Sequence, residues 1–365
     1  MQSNELKERH GTQSQANAEF GARPVRSVVP ASLLSTIPPR AVRAHGSRPG
    51  LRLLLVHAHP DDESILNAAT MARAVADGHR VTLLTATRGE AGEVYPAELG
   101  ALANNPAALG AHREGELAAA MSALGVTDVR FLRPAAGPDR WVDSGMADAR
   151  SGPVPGGDAA GRPAAFADAD VLATAAAVAR VIRDVRPHVL VTYDEVGGYG
   201  HPDHVAAHRA AMYGLVLAAA PGFDPVPGDP AGPVWEVPKV YWTAAPRSVV
   251  LDGLARAAVA VRAGSTDGFV AHPDPAGAPA IDDAVVTTAV DGTKWLDRKV
   301  AAMAAHRTQL AVRRTGEGYL FALTNRIAQP VEPVEHYRLV RKVGVRAPSG
   351  GEDDLFAGLD GWRGR

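Results

Sequence analysis

The chain has 365 residues, 38 Lys+Arg against 40 Asp+Glu, a formal net charge of −2, and no cysteine. The balanced charge gives no whole-chain field for nucleic acid or an anionic membrane. The absence of thiols excludes disulfides, thiolate nucleophiles and cysteine-bound metal, so any metal must sit on His, Asp or Glu.

Residues 1–49 lack sustained periodicity, and their apolar cluster is broken by Pro30 and closed by Pro38 and Pro39. They read as a disordered extension, or as translation begun at an upstream start codon. Residues 1–10 are polar and charged, unlike a secretory signal. No apolar run reaches the ~20 residues needed to span a bilayer. A cytoplasmic protein without membrane or nucleic-acid partners is expected.

Residues 51–57, apolar apart from Arg52 and His57, predict a strand covered on both faces. A helix over 63–77 stops at Gly78, and 79–87 is the next strand. Residues 113–124 form a helix ended by Gly125, and 128–132 a short strand. Then come a helix over 167–184, a strand over 187–193 and a helix over 202–219. Two stretches rich in Gly, Pro, Ala and Asp, 133–166 and 221–237, interrupt the alternation as long loops. Strands at 239–242 and 284–290 and helices at 248–262 and 293–308 make up a mixed C-terminal part. This order predicts a Rossmann-like, doubly wound α/β fold with a mainly parallel sheet and a smaller mixed α/β C-terminal part. The expected domain is 50–345, followed by a solvated tail over 346–365.

Two tripeptides carry the chemistry. In His59-Pro60-Asp61-Asp62-Glu63, proline suits the first helical position. That places His59 near the N-cap and the acids in the first turn, where the helix dipole favours them. Capping alone would account for them. Yet His57-Ala58-His59 ends a strand that should deliver side chains to the carboxyl edge of the sheet. Adjacent acids on a helix also diverge by about 100°. One can bind a metal while the other faces a substrate, the division that metal-assisted hydrolysis requires. Glu63 is expected to continue the helix start, and His57 to lie buried beneath the site.

The second tripeptide follows a glycine-rich loop, Gly197-Gly198-Tyr199-Gly200, as His201-Pro202-Asp203-His204. His201 and His204 are close enough in sequence to share one site. His204 and His208 have the spacing of a helical zinc pair, and periodicity does not choose between these two pairs, although His208 is expected to be packed or on the surface. Asp203 is either a capping acid or a carboxylate that fixes an imidazole tautomer. A third copy, His272-Pro273-Asp274, has no second acid or histidine behind it and reads as a loop.

Val56-His57-Ala58-His59-Pro60-Asp61-Asp62-Glu63, together with Gly198-Tyr199-Gly200-His201-Pro202-Asp203-His204, resembles the PIG-L/LmbE-like zinc de-N-acetylases. Further blocks are similar to the branch of that family that deacetylates N-acetylglucosaminyl-inositol in mycothiol biosynthesis. They are Thr87-Arg88-Gly89-Glu90-Ala91-Gly92-Glu93-Val94, Arg113-Glu114-Gly115-Glu116-Leu117, Asp143-Ser144-Gly145-Met146 and Glu335-His336-Tyr337. The resemblance runs from about Leu51 to Val343.

The resemblance implies a hydrolase that releases acetate from this small amino-sugar inositol, with one Zn2+ per subunit. It implies His59, Asp62 and His204 as zinc ligands and Asp61 as the general base. His201 would be the electrophilic or acid partner at the acetyl carbonyl, oriented by Asp203, and Tyr199 would stabilise the oxyanion. Arg113, Asp143 and Glu93 would contact sugar and inositol hydroxyls, and Met146 would line the pocket. Outside the resemblance, Arg113 and Asp143 would read as ordinary surface charges. A mycothiol S-conjugate amidase shares this zinc chemistry, but its pattern carries proline where this chain has Gly200. A catalytically silent sugar- or metal-binding relative is opposed by the intact Asp61. Nucleotide binding is opposed by the missing G-x-G-x-x-G at the first βα turn.

Overall fold

A computed structural model describes residues 50–135, 139–145, 164–224, 232–316, 318–345, 351–359 and 362. Strand β1 (Arg52–His57) is buried from Leu53 onward. Its alternation explains why both faces are apolar. Leu53 and Leu55 pack with Met71, Leu117 and Met121 on one side. Leu54 and Val56 pack with Val178, Ile182 and Leu215 on the other. After β1 come α1 (Asp62–Leu66), α2 (Ala68–Ala76), β2 (Arg80–Thr85), α3 (Pro106–Leu124) and β3 (Asp128–Phe131). They are followed by α4 (Val171–Val185), β4 (Val189–Thr192), a single turn α5 (Gly197–Gly200), α6 (Pro202–Ala219) and β5 (Lys239–Ala244). The C-terminal part holds α7 (Arg247–Arg262), β6 (Thr288–Asp291), α8 (Leu296–Ala305), β7 (Ala311–Thr315), β8 (Gly318–Ala322), β9 (Gln329–Pro330) and β10 (Val334–Lys342).

The main sheet runs β3-β2-β1-β4-β5-β10-β6. Its first five strands are mutually parallel, and β10 is antiparallel to both its neighbours. A three-stranded antiparallel sheet, β7-β8-β9, is separate. The expected mainly parallel, doubly wound sheet is therefore present. Its strand order reverses between β1 and β4, and open α/β sheets bind ligands at the carboxyl ends of strands flanking such a point. The two tripeptides follow β1 and β4.

Several boundaries differ from expectation for physical reasons. The helix expected over 63–77 is broken at Asn67, whose φ is −138°. Glu335 on β10 accepts the Ala69 and Thr70 N–H groups at 3.0 and 2.8 Å, so it caps α2 as a separate helix. Helix α3 begins seven residues earlier than expected because Asn105 caps it through the Ala108 N–H, with Pro106 at the first position. Helix α8 ends at Ala305, which frees 306–309 as a turn. Residues 284–287 are not strand, and β6 starts at Thr288. Strands β7 to β10 were not anticipated.

The described part of the tail is not solvated. Leu355, Phe356 and Leu359 are at most 3 % exposed. Buried Glu352 accepts from Lys239 at 3.0 Å and from the Tyr241 hydroxyl. Gly, Ser and acid residues around these three apolar anchors hide them from a compositional reading. No helix among the described residues is long and apolar enough to cross a membrane.

The amino edge of the sheet carries a pH-dependent liability. Burial holds His79 at about 4, and burial together with the Arg52 charge does the same for His188. An unfolded histidine titrates near 6.5. Between these values the unfolded chain takes up protons that the folded chain refuses, so stability is whole above pH 6.5 and is lost as pH falls towards 4. The melting temperature should fall across that window, less steeply in a His79→Phe, His188→Asn double variant. An unchanged slope in the double variant would overturn the assignment.

Candidate active site

His59 stands just beyond β1. Its backbone N–H donates to Asp62 Oδ2 at 2.9 Å. Its Nε2 lies 3.1 Å from Asp203 Oδ2 and 3.5 Å from Asp143 Oδ1, and its Nδ1 lies 3.5 Å from Asp62 Oδ2. The Asp203 carboxylate also accepts from the Ser144 backbone N–H at 2.9 Å and from the Ser144 hydroxyl at 2.5 Å. A carboxylate receiving three donors is an acceptor only. In its neutral form His59 therefore carries its hydrogen on Nε2 with the Nδ1 lone pair towards Asp62, and against the effect of burial the carboxylates of Asp143, Asp203 and Asp62 raise the pKa of the ring well above the ordinary histidine value.

His204, in the first turn of α6, is held by its backbone surroundings. Its Nδ1 lies 3.1 Å from the Gly197 carbonyl, to which it donates. Gly197 itself has φ 71°, and a Cβ there would meet His204 Cβ at 2.8 Å, so no other residue fits this close approach. The His204 Nε2 is buried without a hydrogen-bond partner and stands 3.2 Å from Asp62 Oδ1. Tyr193, at the end of β4, stacks on this ring with centroids 4.2 Å apart and donates its hydroxyl to Asp62 Oδ2 at 2.6 Å.

Two imidazole lone pairs thus face one carboxylate. Lone pairs this close repel unless a cation lies between them, and the donor set suits a divalent metal such as zinc. The ring nitrogens of His59, His201 and His204 also cluster within 4.8 Å, as do donor atoms of His59, Asp143 and Asp203. Both alternative sets are less suitable. His201 Nδ1 accepts the Asp203 N–H at 3.1 Å, which leaves a hydrogen on Nε2 in the neutral ring. Asp203 and Asp143 approach only the hydrogen-bearing Nε2 of His59.

Asp61 differs from Asp62 in every respect. It is the residue before α1, with φ 113°, and its carboxylate makes no capping bond. Holding a side-chain-bearing residue in such a region costs on the order of 1–3 kcal/mol. Burial, then the Asp62 charge, pushes its pKa up to about 8. Asp62 moves the other way: burial would raise it, but His204 and then His59, whose facing nitrogens can hold a proton or share a cation with it, keep it well below the carboxylate range. His201 is pushed down to about 4 by burial and then by His59 and His204, so it is a neutral donor. Tyr199 is 55 % exposed, with its ring edge-on to His204 at 5.0 Å.

The other expected residues are placed as follows. His57 is fully buried against Tyr193, as anticipated. His208 donates through Nδ1 to the Tyr193 carbonyl at 3.0 Å and packs on Trp242, away from the centre. Asp274 caps its own short turn. Asp203 holds the His201 ring through its backbone N–H, which donates to His201 Nδ1 in the cap of α6, and not through its carboxylate, which serves His59 and Ser144. Arg113 is 3 % exposed rather than a surface charge. It donates to the Gly89 carbonyl, to the Glu93 carbonyl at 2.8 Å and to Thr308 Oγ1 at 3.2 Å, bracing the 89–93 loop. Asp143 is 8 % exposed and accepts from the Ala91 and Gly145 N–H groups. Glu93 is exposed beside this loop. Met146 lies outside the described residues.

Sequence reasoning assigned no role to Ser144, Tyr193, His306, Thr308 or Gln309. Glu63 does continue the helix start, yet its carboxylate is fully buried against His306 at 2.8 Å. The one readable signal was the cluster of hydrogen-bonding side chains at His306-Arg307-Thr308-Gln309.

Residues 54–214 match the GlcNAc-PI de-N-acetylase (PIG-L) family. The chain is 50 % identical over 317 residues to the 1D-myo-inositol 2-acetamido-2-deoxy-alpha-D-glucopyranoside deacetylase of Streptomyces scabiei, covering 86 % of this chain and 92 % of that one. The chain belongs to the PIG-L family. The Geodermatophilus obscurus protein of the same name is also 50 % identical, over 316 residues, with 86 % of this chain and 99 % of that one covered. Among solved structures, the N,N'-diacetylchitobiose deacetylase of Pyrococcus horikoshii aligns at 15 % identity with a TM-score of 0.44, covering 70 % of each chain.

Proposed function

We propose that the protein is a cytoplasmic, zinc-dependent deacetylase of N-acetylglucosaminyl-inositol, releasing glucosaminyl-inositol and acetate in mycothiol biosynthesis. The observation that carries the chemistry is the divided acid pair: Asp62 faces two imidazole nitrogens, while the Asp61 carboxylate makes no capping bond to its own helix. The substrate rests on the two relatives, each named as that deacetylase and 50 % identical to this chain.

One Zn2+ held by His59, Asp62 and His204 would polarise the acetyl carbonyl and bring the pKa of water to about 7. Asp61 takes the proton of the attacking water and returns it to the leaving amine. A carboxyl raised to about 8 is matched to holding a proton between those two steps near neutral pH. His201 presents its Nε2–H to the acetyl oxygen, and the Tyr199 hydroxyl adds a second donor as negative charge develops there. Arg113 and Asp143 hold the 89–93 loop in place; with Glu93 they would contact the hydroxyls of the substrate, and Met146 would line the pocket.

Gly200 has φ 94°. Proline is locked near −65° and cannot hold this loop in the same form. That favours the deacetylase over the S-conjugate amidase, in which proline takes the position. Acetate release from N-acetylglucosaminyl-inositol should exceed cleavage of a mycothiol S-conjugate by at least about tenfold in kcat/KM, roughly 1.4 kcal/mol of transition-state preference. A preference for the conjugate would overturn the substrate assignment.

A further inference from the structure

The turn at 306–309 reaches the base from across the fold. His306 is fully buried, and its Nε2 lies 2.8 Å from Glu63 Oε1. Glu63, equally buried, accepts the Asp61 backbone N–H through Oε2 at 2.9 Å and the Ser64 hydroxyl through Oε1 at 2.6 Å. Gln309 donates its side-chain amide to the Pro60 carbonyl. The Pro60 carbonyl and the Asp61 N–H belong to one peptide group. Both ends of that group are therefore gripped from the same turn, one directly and one through Glu63.

On its other side, Asp61 is fixed by the helix, because its carbonyl accepts from the Ser64 and Ile65 N–H groups, each at 3.0 Å. With the peptide planes before and after Cα both held, φ is held at 113° and the direction of the side chain is set. The turn is anchored in its own right. Thr308 donates to Glu116 through its backbone N–H at 2.8 Å and its hydroxyl at 2.5 Å.

Asp61 also occupies the residue position at which an aspartate ordinarily bonds the free N–H groups of its own helix. It makes no such bond here. A competing conformation is thus available, in which the carboxylate folds back onto α1 and leaves the site.

We infer that Glu63, His306 and Gln309 are positioning residues that lock the Pro60–Asp61 peptide group and so keep the Asp61 carboxylate aimed at the substrate instead of capping its own helix. This rests on the assignment of Asp61 as the base. The three residues touch neither substrate nor metal, and they act on the proton-transfer step through Asp61 alone.

The test uses the full zinc-loaded chain. His306→Leu removes the donor to Glu63, whereas His306→Gln can still present an amide nitrogen where Nε2 stood. His306→Leu should lower kcat by about 10–100-fold, the scale of a misplaced catalytic group, with KM and zinc content unchanged. His306→Gln should recover most of that loss. Gln309→Leu, which removes a single neutral bond, should show the same pattern at smaller size and covers the case in which His306→Leu does not fold. An unchanged kcat in the folded variants, a fall in zinc content or a rise in KM parallel to the loss, or a failure of His306→Gln to recover activity would each overturn the inference. Asp61→Asn separates the two levels. If it stays active, the base assignment fails. If it is inactive while the His306 and Gln309 variants match the unaltered chain, only the positioning role fails.

Discussion

Asp61→Asn should keep its zinc and lose about 10²–10⁴-fold in kcat, the range a positioned general base contributes. Asparagine has nearly the volume of aspartate, and its backbone can hold φ 113° as readily, since Asn tolerates positive φ better than most residues. What changes is the ability to take a proton. The metal set should be undisturbed, because the carboxylate of Asp61 bonds no ligand and Asp62 keeps its hydrogen bonds from Tyr193 and the His59 backbone. Replacing the carboxylate also removes its repulsion with Asp62 whenever both would be ionised. Metal analysis of dialysed protein and acetate release at saturating substrate provide the two readouts. Zinc and activity falling together would show that Asp61 is a ligand, and full activity would show that another group takes the proton.

That the two acids diverge was legible in the sequence because it depends on neighbours. Adjacent residues at a helix start must point in different directions, and a run such as Leu53–Val56 that is apolar at every position must be covered on both faces. The sheet and the identity of the two loops follow from those local facts. What was not legible depends on residues far apart in the chain. Asp203 sits beside His201 in sequence, so pairing them was the natural reading. In the fold, the capping geometry at the start of α6 turns the Asp203 carboxylate towards His59, 144 positions away. Tyr193 reads as the last residue of a strand, and only the parallel pairing of β1 with β4 brings its hydroxyl to Asp62. The break at Asn67 is imposed by Glu335, and no local propensity signals it. Strand β10 was partly readable, since Glu335 and Tyr337 are buried between more exposed neighbours. A pattern with charges on both faces is, however, weak evidence for a strand without its partners.

Asp62→Ala should cost the metal itself. The Asp62 carboxylate is the only group that approaches both lone-pair nitrogens among the described residues, 3.5 Å from His59 Nδ1 and 3.2 Å from His204 Nε2. Without it, two neutral imidazoles remain, with ring centres 5.4 Å apart and no charge to offset a divalent ion. Tyr193→Phe gives the scale for comparison. It keeps the ring stacked on His204 but removes the hydroxyl that donates to Asp62 and accepts the Ala58 N–H at 2.8 Å. Loss of a partner of that kind typically weakens metal binding by about 10–100-fold, so Asp62→Ala should weaken it further. His201→Ala provides the opposite control. Its Nδ1 is occupied by the Asp203 N–H, so the variant should retain zinc while losing activity. Competition with a chelator of known affinity ranks the three variants without reference to turnover. If His201→Ala released zinc and Asp62→Ala retained it, the centre would be the trio His59, His201 and His204, and the division of labour between Asp61 and Asp62 would have no basis.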